Sequence, residues 1–245
     1  MSETQPHLSQ QLTLESHQVD IWQFGLRDYF DQRDVLLPCL SEPERKRLQC
    51  RNGLNLALSR CLLRHLLSRY IALAPAKIAF QYTAKGKPYL EHHNIEFNLS
   101  HSGDQMVCAV GRRSDEPAIP NFQRPLGVDI ECGRSIKFLE DLAERCLTQQ
   151  EQQTLKDLPD AAQAERFIHY WSCKEAYAKA VGEGLSIAFN SIQVELEPLP
   201  CFIRLPNDTP SHWQLYRWQT ITGNTAALAY PGQPVNIVFR SLDLV

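Results

Sequence analysis

The chain lacks long apolar runs. No stretch approaches the roughly 18–20 consecutive apolar residues that a membrane-spanning helix requires, so no membrane segment is expected. It lacks a strong charge of one sign. With 25 Lys and Arg against 28 Asp and Glu the net charge is −3, and nothing global argues for nucleic acid. It lacks the cysteine spacing of metal or redox motifs. The eight cysteines, at 39, 50, 61, 108, 132, 146, 173 and 201, form no Cys-x-x-Cys, and no His/Cys cluster has zinc spacing. Scattered through apolar segments of a chain this size, they read as small buried hydrophobes in a reducing compartment, not as four disulfides. The first residues, Met-Ser-Glu-Thr-Gln-Pro-His, are polar and no signal-peptide apolar core follows, which makes the cytoplasm the expected location. Walker A, Gly-x-Gly-x-x-Gly, kinase and Gly-x-Ser-x-Gly signatures are all missing.

Two segments carry most of the information that is present. Gly127-Val128-Asp129-Ile130-Glu131 reads as a short strand, with Leu126, Val128 and Ile130 on one face and Asp129 and Glu131 on the other. Trp171 to Lys179 reads as the middle of an amphipathic helix whose apolar stripe runs through Ala164, Phe167, Ile168, Trp171, Ala178 and Val181. Glu175 falls on that stripe, where a carboxylate is costly unless it is paired. Three carboxylates with no evident partner in the sequence suggest a hard divalent cation held by oxygens, Mg²⁺ before others. The plainer alternatives are a solvent-facing acidic pair at 129 and 131 and a helical Glu175–Lys179 pair. A cationic stretch, Glu44-Arg45-Lys46-Arg47-Leu48-Gln49-Cys50-Arg51 followed by Arg60, Arg64 and Arg69, suits a small phosphate ligand better than a duplex.

Along the 245 residues the pattern is strand at Val19–Leu26, helix from Ser41 to about Tyr70, strands at Ile78–Tyr82, Ile95–Leu99 and Gln105–Val110. Ser41 and Glu44 have capping-box spacing, and Gly53 is positioned to divide the helix. Residues 111–125, with three prolines, are the best linker candidate. After the strand at 126–131 come a helix near Phe138–Cys146, a capping box at Thr148–Glu151, and a long helix capped by Asp160 and ended by Gly182. Antiparallel strands are expected at 191–197, 202–205, 213–220, 226–230 and 235–242. The order predicts an α+β fold of two similar α/β subdomains, 1–118 and 119–245, with a ligand cleft between them.

Five segments, in order from 44 to about 185, together resemble the 4′-phosphopantetheinyl transferase superfamily. They are the basic segment with Glu44-x-x-Arg47 and Arg60-x-x-x-Arg64, then Gly86-Lys87-Pro88, Phe97-Asn98-Leu99-Ser100-His101-Ser102, Gly127–Glu131, and Trp171-x-x-Lys174-Glu175-x-x-x-Lys179. The length and the presence of motifs in both halves resemble the long, monomeric, surfactin-synthetase-activating branch. The resemblance implies transfer of the 4′-phosphopantetheine arm of coenzyme A to a serine of an acyl or peptidyl carrier protein, with Mg²⁺, releasing adenosine 3′,5′-bisphosphate. It implies Asp129, Glu131 and Glu175 as metal ligands. It implies Glu175 or Glu151 as the base, and Lys179 stabilising the phosphate under attack. It implies a coenzyme A site that includes Arg45, Arg47, Lys87, Pro88, Asn98, Ser100, His101, Asp129, Lys174 and Lys179. Lys174 is turned about 100° from Glu175 on the helix, which leaves phosphate contact and structural pairing both open. Region 134–147, with Arg134, Lys137, Phe138, Leu139, Arg145 and Leu147, is either a docking surface for an acidic carrier or an inward-packed helix. A non-catalytic relative that only holds coenzyme A or the carrier is the alternative function, disfavoured because all three carboxylates and Lys179 are present.

Overall fold

The computed structural model describes residues 11–50, 53–113, 125–133 and 136–243, apart from the side chain of Arg47. The polar tail at 1–10, Arg51, Arg134 and most of the linker candidate lie outside the described residues. Strand β1 (Gln18–Gly25) is followed by short 3-10 turns around α1 (Arg33–Leu36), by α2 (Glu42–Lys46) and by α3 (Gly53–Ser68). A small hairpin, β2 (Gln81–Tyr82) and β3 (Pro88–Tyr89), leads to β4 (Ile95–Ser102) and β5 (Gln105–Arg112). Then come β6 (Gly127–Glu131), α4 (Leu139–Cys146), α5 (Gln149–Lys156) and α6 (Asp160–Ala180). The chain ends in β7 (Gln193–Glu195), β8 (Cys201–Arg204), β9 (Trp213–Gln219), β10 (Thr225–Pro231) and β11 (Asn236–Arg240).

Two main sheets result, β11-β1-β5-β4 and β6-β10-β9. Strand alternation distributes their side chains into three cores. Trp22, Phe24, Met106, Cys108 and Val110 pack with α3 residues such as Leu58, Leu62 and Leu66. The opposite faces of the same strands give Val19, Ile21, Val107 and Ala109, which meet Val128, Ile130, Ala226 and Leu228 of the second sheet. The far face of that sheet, with Ala227 and Ala229, lies under α6 through Cys173, Ala176 and Tyr177. The layers are therefore helix, sheet, sheet, helix, and the inner strands are buried on both faces.

Several local expectations hold for identifiable reasons. The Thr148–Glu151 capping box is complete, with both reciprocal hydrogen bonds present. Gly182, at φ +75°, ends α6: its N–H reaches Lys179 O at 3.2 Å, and Glu183 N–H reaches Ala178 O at 3.0 Å. Asp160 is the first helical residue rather than the cap, where its charge still favours the helix N-terminus.

Three expectations are corrected. The helix read from Ser41 to Tyr70 is two helices joined by a 3-10 turn at Arg47–Gln49. The strand expected at Ile78–Tyr82 is confined to Gln81–Tyr82, and the Ile78 carbonyl at its expected start accepts from the Arg64 guanidinium instead of a neighbouring strand. The last strand is not antiparallel within the second half. It pairs parallel with β1, Asn236 opposite Gln18 and Arg240 opposite Trp22. A buried polar knot secures it: Asp20 accepts from Arg240 Nε at 2.5 Å, Tyr70 Oη at 2.6 Å and Gln18 Nε2 at 2.6 Å. The end of the chain thus completes the sheet of the first half.

Candidate active site

Strands β4 and β6 are edge strands of their respective sheets, and they run side by side. Side chains knit this seam. Residues 98, 100 and 102 of β4 project toward β6 by the two-residue period. Asn98 Oδ1 accepts Val128 N–H at 2.8 Å, Ser100 Oγ donates to Asp129 Oδ1 at 2.9 Å, and Ser102 Oγ donates to Glu131 Oε2 at 3.0 Å.

Helix α6 lies unusually close to β6, and Gly127 is the reason. A Cβ at that position would stand 1.9 Å from the Ala176 carbonyl oxygen and 2.4 Å from Ala180 N. The first residue of Gly-Val-Asp-Ile-Glu is therefore glycine for close strand–helix approach, and this approach delivers Asp129 and Glu131 to Glu175 and Lys179.

Lys179 Nζ donates to Asp129 Oδ1 at 2.6 Å and to Ser100 Oγ at 2.7 Å, while the side chain remains 26% exposed. The other oxygen, Asp129 Oδ2, is buried without a hydrogen-bond partner among the described residues. Glu131 Oε1 accepts Trp171 Nε1–H at 3.2 Å. Glu175 is 8% exposed, and burial pushes its carboxyl up to about 7, Lys179 opposing and Asp129 and Glu131 adding to the rise. Two carboxylates thus raise the pKa of a third while an oxygen of Asp129 goes unpaired. Among the described residues no group of three His, Cys, Asp or Glu is already closed up as a metal cage. The donor set itself, all carboxylate oxygen with one buried orphan, fits a hard divalent cation.

His101 projects to the opposite side of β4 from Ser100, toward α3. Partial desolvation and the positive charges of Lys179 and Arg60 hold its imidazole below the ordinary value. Arg60 lies over the Tyr82 ring at 5.9 Å, and its Nη1 is buried with no hydrogen-bond partner among the described residues. In the sequence Arg60 carries little weight, because its helical position alone does not show that β4 brings His101 beside it. The motifs also do not single out Ser102 and Trp171 as contacts of Glu131. The period-two alternation that marks Ser100 is the signal that finds Ser102.

Other expected residues lie elsewhere or are already engaged. Glu151 and Lys174 form a buried pair at 2.5 Å, with Lys174 0% exposed. Lys174 also donates to the carbonyls of Cys146 at 2.9 Å and Phe189 at 3.1 Å. Glu151 accepts from Thr148 N at 2.7 Å and Val194 N at 2.8 Å. All three ammonium donors and both carboxylate oxygens are engaged, so the structural-pairing alternative for Lys174 matches the geometry. Glu151 has no exposed oxygen with which to serve as a base. Lys87 Nζ contacts Glu96 at 3.1 Å, Leu126 O at 3.1 Å and Ala180 O at 3.3 Å, which ties the β2–β3 turn to the end of α6 instead of presenting a charge to solvent. Pro88 is half-buried opposite Tyr82 in that hairpin. Exposed Arg45 donates to Pro38 O at 2.9 Å. The expected capping pair at Ser41 and Glu44 exists in part: Glu44 Oε2 accepts from Ser41 N and Oγ, and it also binds buried Arg64 at 2.7 Å. Arg64 is thus an internal brace.

Beside Glu131 opens a groove of about 400 Å³ lined by Ile136, Lys137, Leu142, Phe167, Ile168 and Trp171. Phe138 stands nearby at 76% exposure in the left-handed region, φ 57°. Leu147, by contrast, is buried in the core and does not line this groove. No helix among the described residues is long and apolar enough to cross a membrane.

Comparison with known proteins agrees with this geometry. Residues 125–231 match the 4′-phosphopantetheinyl transferase superfamily model, and residues 32–113 match the model of a 4′-phosphopantetheinyl transferase N-terminal region. The 4′-phosphopantetheinyl transferase HetI of Nostoc is 34% identical over 195 residues, which cover 76% of this chain and 78% of that protein. The Sfp transferase of Bacillus subtilis is 29% identical over 74% of this chain and 77% of its own length. The psf-1 transferase of Bacillus pumilus is 35% identical over 65% of this chain, with 64% of that relative spanned. With strand and helix motifs meeting at one seam and both family regions matched in order, the chain belongs to the 4′-phosphopantetheinyl transferase superfamily, in the branch of the HetI and Sfp transferases.

Proposed function

We propose that this chain, acting as a monomer, transfers the 4′-phosphopantetheine arm of coenzyme A to a serine of an acyl or peptidyl carrier protein, with Mg²⁺ held by Asp129, Glu131 and Glu175. The observation that carries the reading is the orphaned Asp129 Oδ2 amid three carboxylates and a partly exposed Lys179. Mg²⁺ bound there would supply charge neutralisation of the coenzyme A diphosphate and in-line orientation of the transfer.

The chain's own groups account for the rest. Lys179, steered by Ser100 and Asp129, is placed to balance charge growing on the phosphate under attack. Of the two acids that the family pattern offers as base, Glu151 is buried and taken by Lys174 and the Val194 N–H, so Glu175 is the group assigned to receive the serine hydroxyl proton. The serine oxygen bonds to phosphorus as the bond to adenosine 3′,5′-bisphosphate breaks. On the α3 side of β4 the unpartnered Arg60 Nη1 supplies the charge, and His101 a neutral imidazole N–H donor, for the 3′-phosphate. The apolar groove beside Glu131, with Lys137 at its rim and Phe138 exposed, is the surface assigned to the acidic helical carrier.

The test is intact-mass spectrometry of a purified apo carrier incubated with the protein, coenzyme A and Mg²⁺. A gain of one phosphopantetheine arm, lost with EDTA and lost in a folded Asp129→Ala variant, is expected. Wild-type transfer by Asp129→Ala would remove the metal assignment, and no transfer to any of several diverse carriers would remove the activity.

A further inference from the structure

The two acidic residues of β6 are held in different ways. Asp129 takes Ser100 and Lys179 on one oxygen, Oδ1, and its Oδ2 has no hydrogen-bond partner among the described residues. Glu131 has a separate neutral donor on each oxygen. Ser102 Oγ donates to Oε2 at 3.0 Å, and Trp171 Nε1–H donates to Oε1 at 3.2 Å. The donors come from two elements, the last residue of β4 and the middle of α6.

Both donors are themselves fixed. Ser102 is 8% exposed, its Oγ accepts the Cys132 N–H at 3.1 Å, and its carbonyl accepts the Cys132 thiol at 3.0 Å. With that N–H accepted, the single hydroxyl proton is left for Glu131. The Trp171 ring stacks on Phe167 at 6.0 Å and packs against Phe189 at 5.1 Å. A phenyl ring would serve such a contact equally well. What the indole adds is its N–H, a group that can only donate, and Glu131 is where it points. Each carboxylate oxygen can accept more than one bond, so neither donor blocks a cation. Two donors fix the plane of a side chain that otherwise turns about three torsions at the end of a strand.

We propose that Ser102 and Trp171 are positioning residues for the transfer reaction, each setting one oxygen of Glu131 before Mg²⁺ arrives. The proposal rests on the reading of Glu131 as a ligand of that cation. Both residues act through Glu131 and not on the reacting atoms. Trp171 also walls the groove beside Glu131, which Ser102 does not line. An effect common to both residues therefore reports on Glu131, and an effect of Trp171 alone reports on the groove.

The experiment is a Mg²⁺ titration of the full chain with coenzyme A present and no carrier, so that nothing turns over. It is read by calorimetry and by the rise of Tm from its value in EDTA. Trp171→Phe keeps a ring and deletes the N–H, Ser102→Ala deletes the hydroxyl, and Ser102→Thr restores it. Trp171→Phe and Ser102→Ala should each weaken Mg²⁺ binding by about tenfold, the low end for residues that orient a metal ligand. Ser102→Thr should bind within about twofold of wild type, as its hydroxyl is retained. In transfer assays the Mg²⁺ midpoint should rise by the same factors, while kcat and the coenzyme A KM recover at saturating Mg²⁺. A purely structural role would instead lower Tm in EDTA and leave the Mg²⁺ midpoint of the folded fraction unmoved. Wild-type Mg²⁺ binding by both Trp171→Phe and Ser102→Ala would overturn the positioning role and leave the metal assignment standing. No Mg²⁺ response in the wild type would overturn the metal assignment and this proposal with it.

Discussion

Replacing Glu175 by Gln should stabilise the metal-free protein while ending transfer. The carboxyl is pushed from 4.5 to about 7 in the fold, mainly by burial, with Asp129 and Glu131 contributing. Because the folded value lies above the unfolded one, the folded state keeps a proton that the unfolded state releases. Its stabilising contribution is full below about 4.5 and is lost as pH climbs through 7. At pH well above 7 the ionised group therefore costs the fold up to about 3 kcal/mol at the conversion of about 1.4 kcal/mol per unit. A glutamine of the same shape removes the charge but leaves a buried amide with incomplete hydrogen bonding, returning about 1 kcal/mol. The net gain is about 2 kcal/mol, or several degrees at about 2–4 °C per kcal/mol for a chain of this size. Thermal melts of wild type and Glu175→Gln in EDTA, from about pH 5 to pH 8, would measure it. The two should nearly coincide at the acid end, with the variant moving ahead as pH rises. Added Mg²⁺ should close the gap by stabilising wild type alone, since a ligand that binds only the folded state adds to its stability. A gap independent of pH, or a wild type more stable than the variant at the alkaline end in EDTA, would refute the reasoning.

Lys174→Met should leave the Glu151 charge buried without its cation and cost about 3–5 kcal/mol in denaturant unfolding. The coenzyme A KM of the folded fraction should stay unchanged, and a raised KM with undiminished stability would return Lys174 to the phosphate site. Gly127→Ala must push α6 off β6, since its Cβ would lie 1.9 Å from a backbone oxygen, so Tm should fall sharply together with transfer. A variant with wild-type Tm would show that the helix can back away at little cost. His101→Ala should raise the KM for coenzyme A more than for its 3′-dephosphorylated form, and equal effects on both would show that His101 does not read the 3′-phosphate.

What the sequence announces, it announces through local rules. The Thr148–Glu151 box and the Gly182 stop are written in a few adjacent residues, and both form as expected. The alternation of 126–131 places Val128 and Ile130 in the core and Asp129 and Glu131 on the helix side. The carboxylate at 175 on an apolar stripe marks a buried charge from the residue pattern alone, and its raised pKa is the physical form of that anomaly. Five ordered motifs make the family legible as well.

Contacts between distant segments are not legible, because hydrogen bonds between them leave no periodic trace. Lys87 and Lys174 look alike in sequence as cations near a phosphate motif. Only the fold brings Glu96, Leu126 O and Ala180 O to the first, and Glu151, Cys146 O and Phe189 O to the second. The parallel docking of Asn236–Arg240 on β1 depends on a buried Asp20 whose partners lie 50 and 220 residues away. Arg60 gains significance only because β4 turns His101 toward α3. By itself, then, the sequence determined the local elements, the family and the set of acidic and basic candidates. The tertiary structure decided which of those charges are spent on holding the fold and which remain at the seam, because burial and pairing set the state of each group.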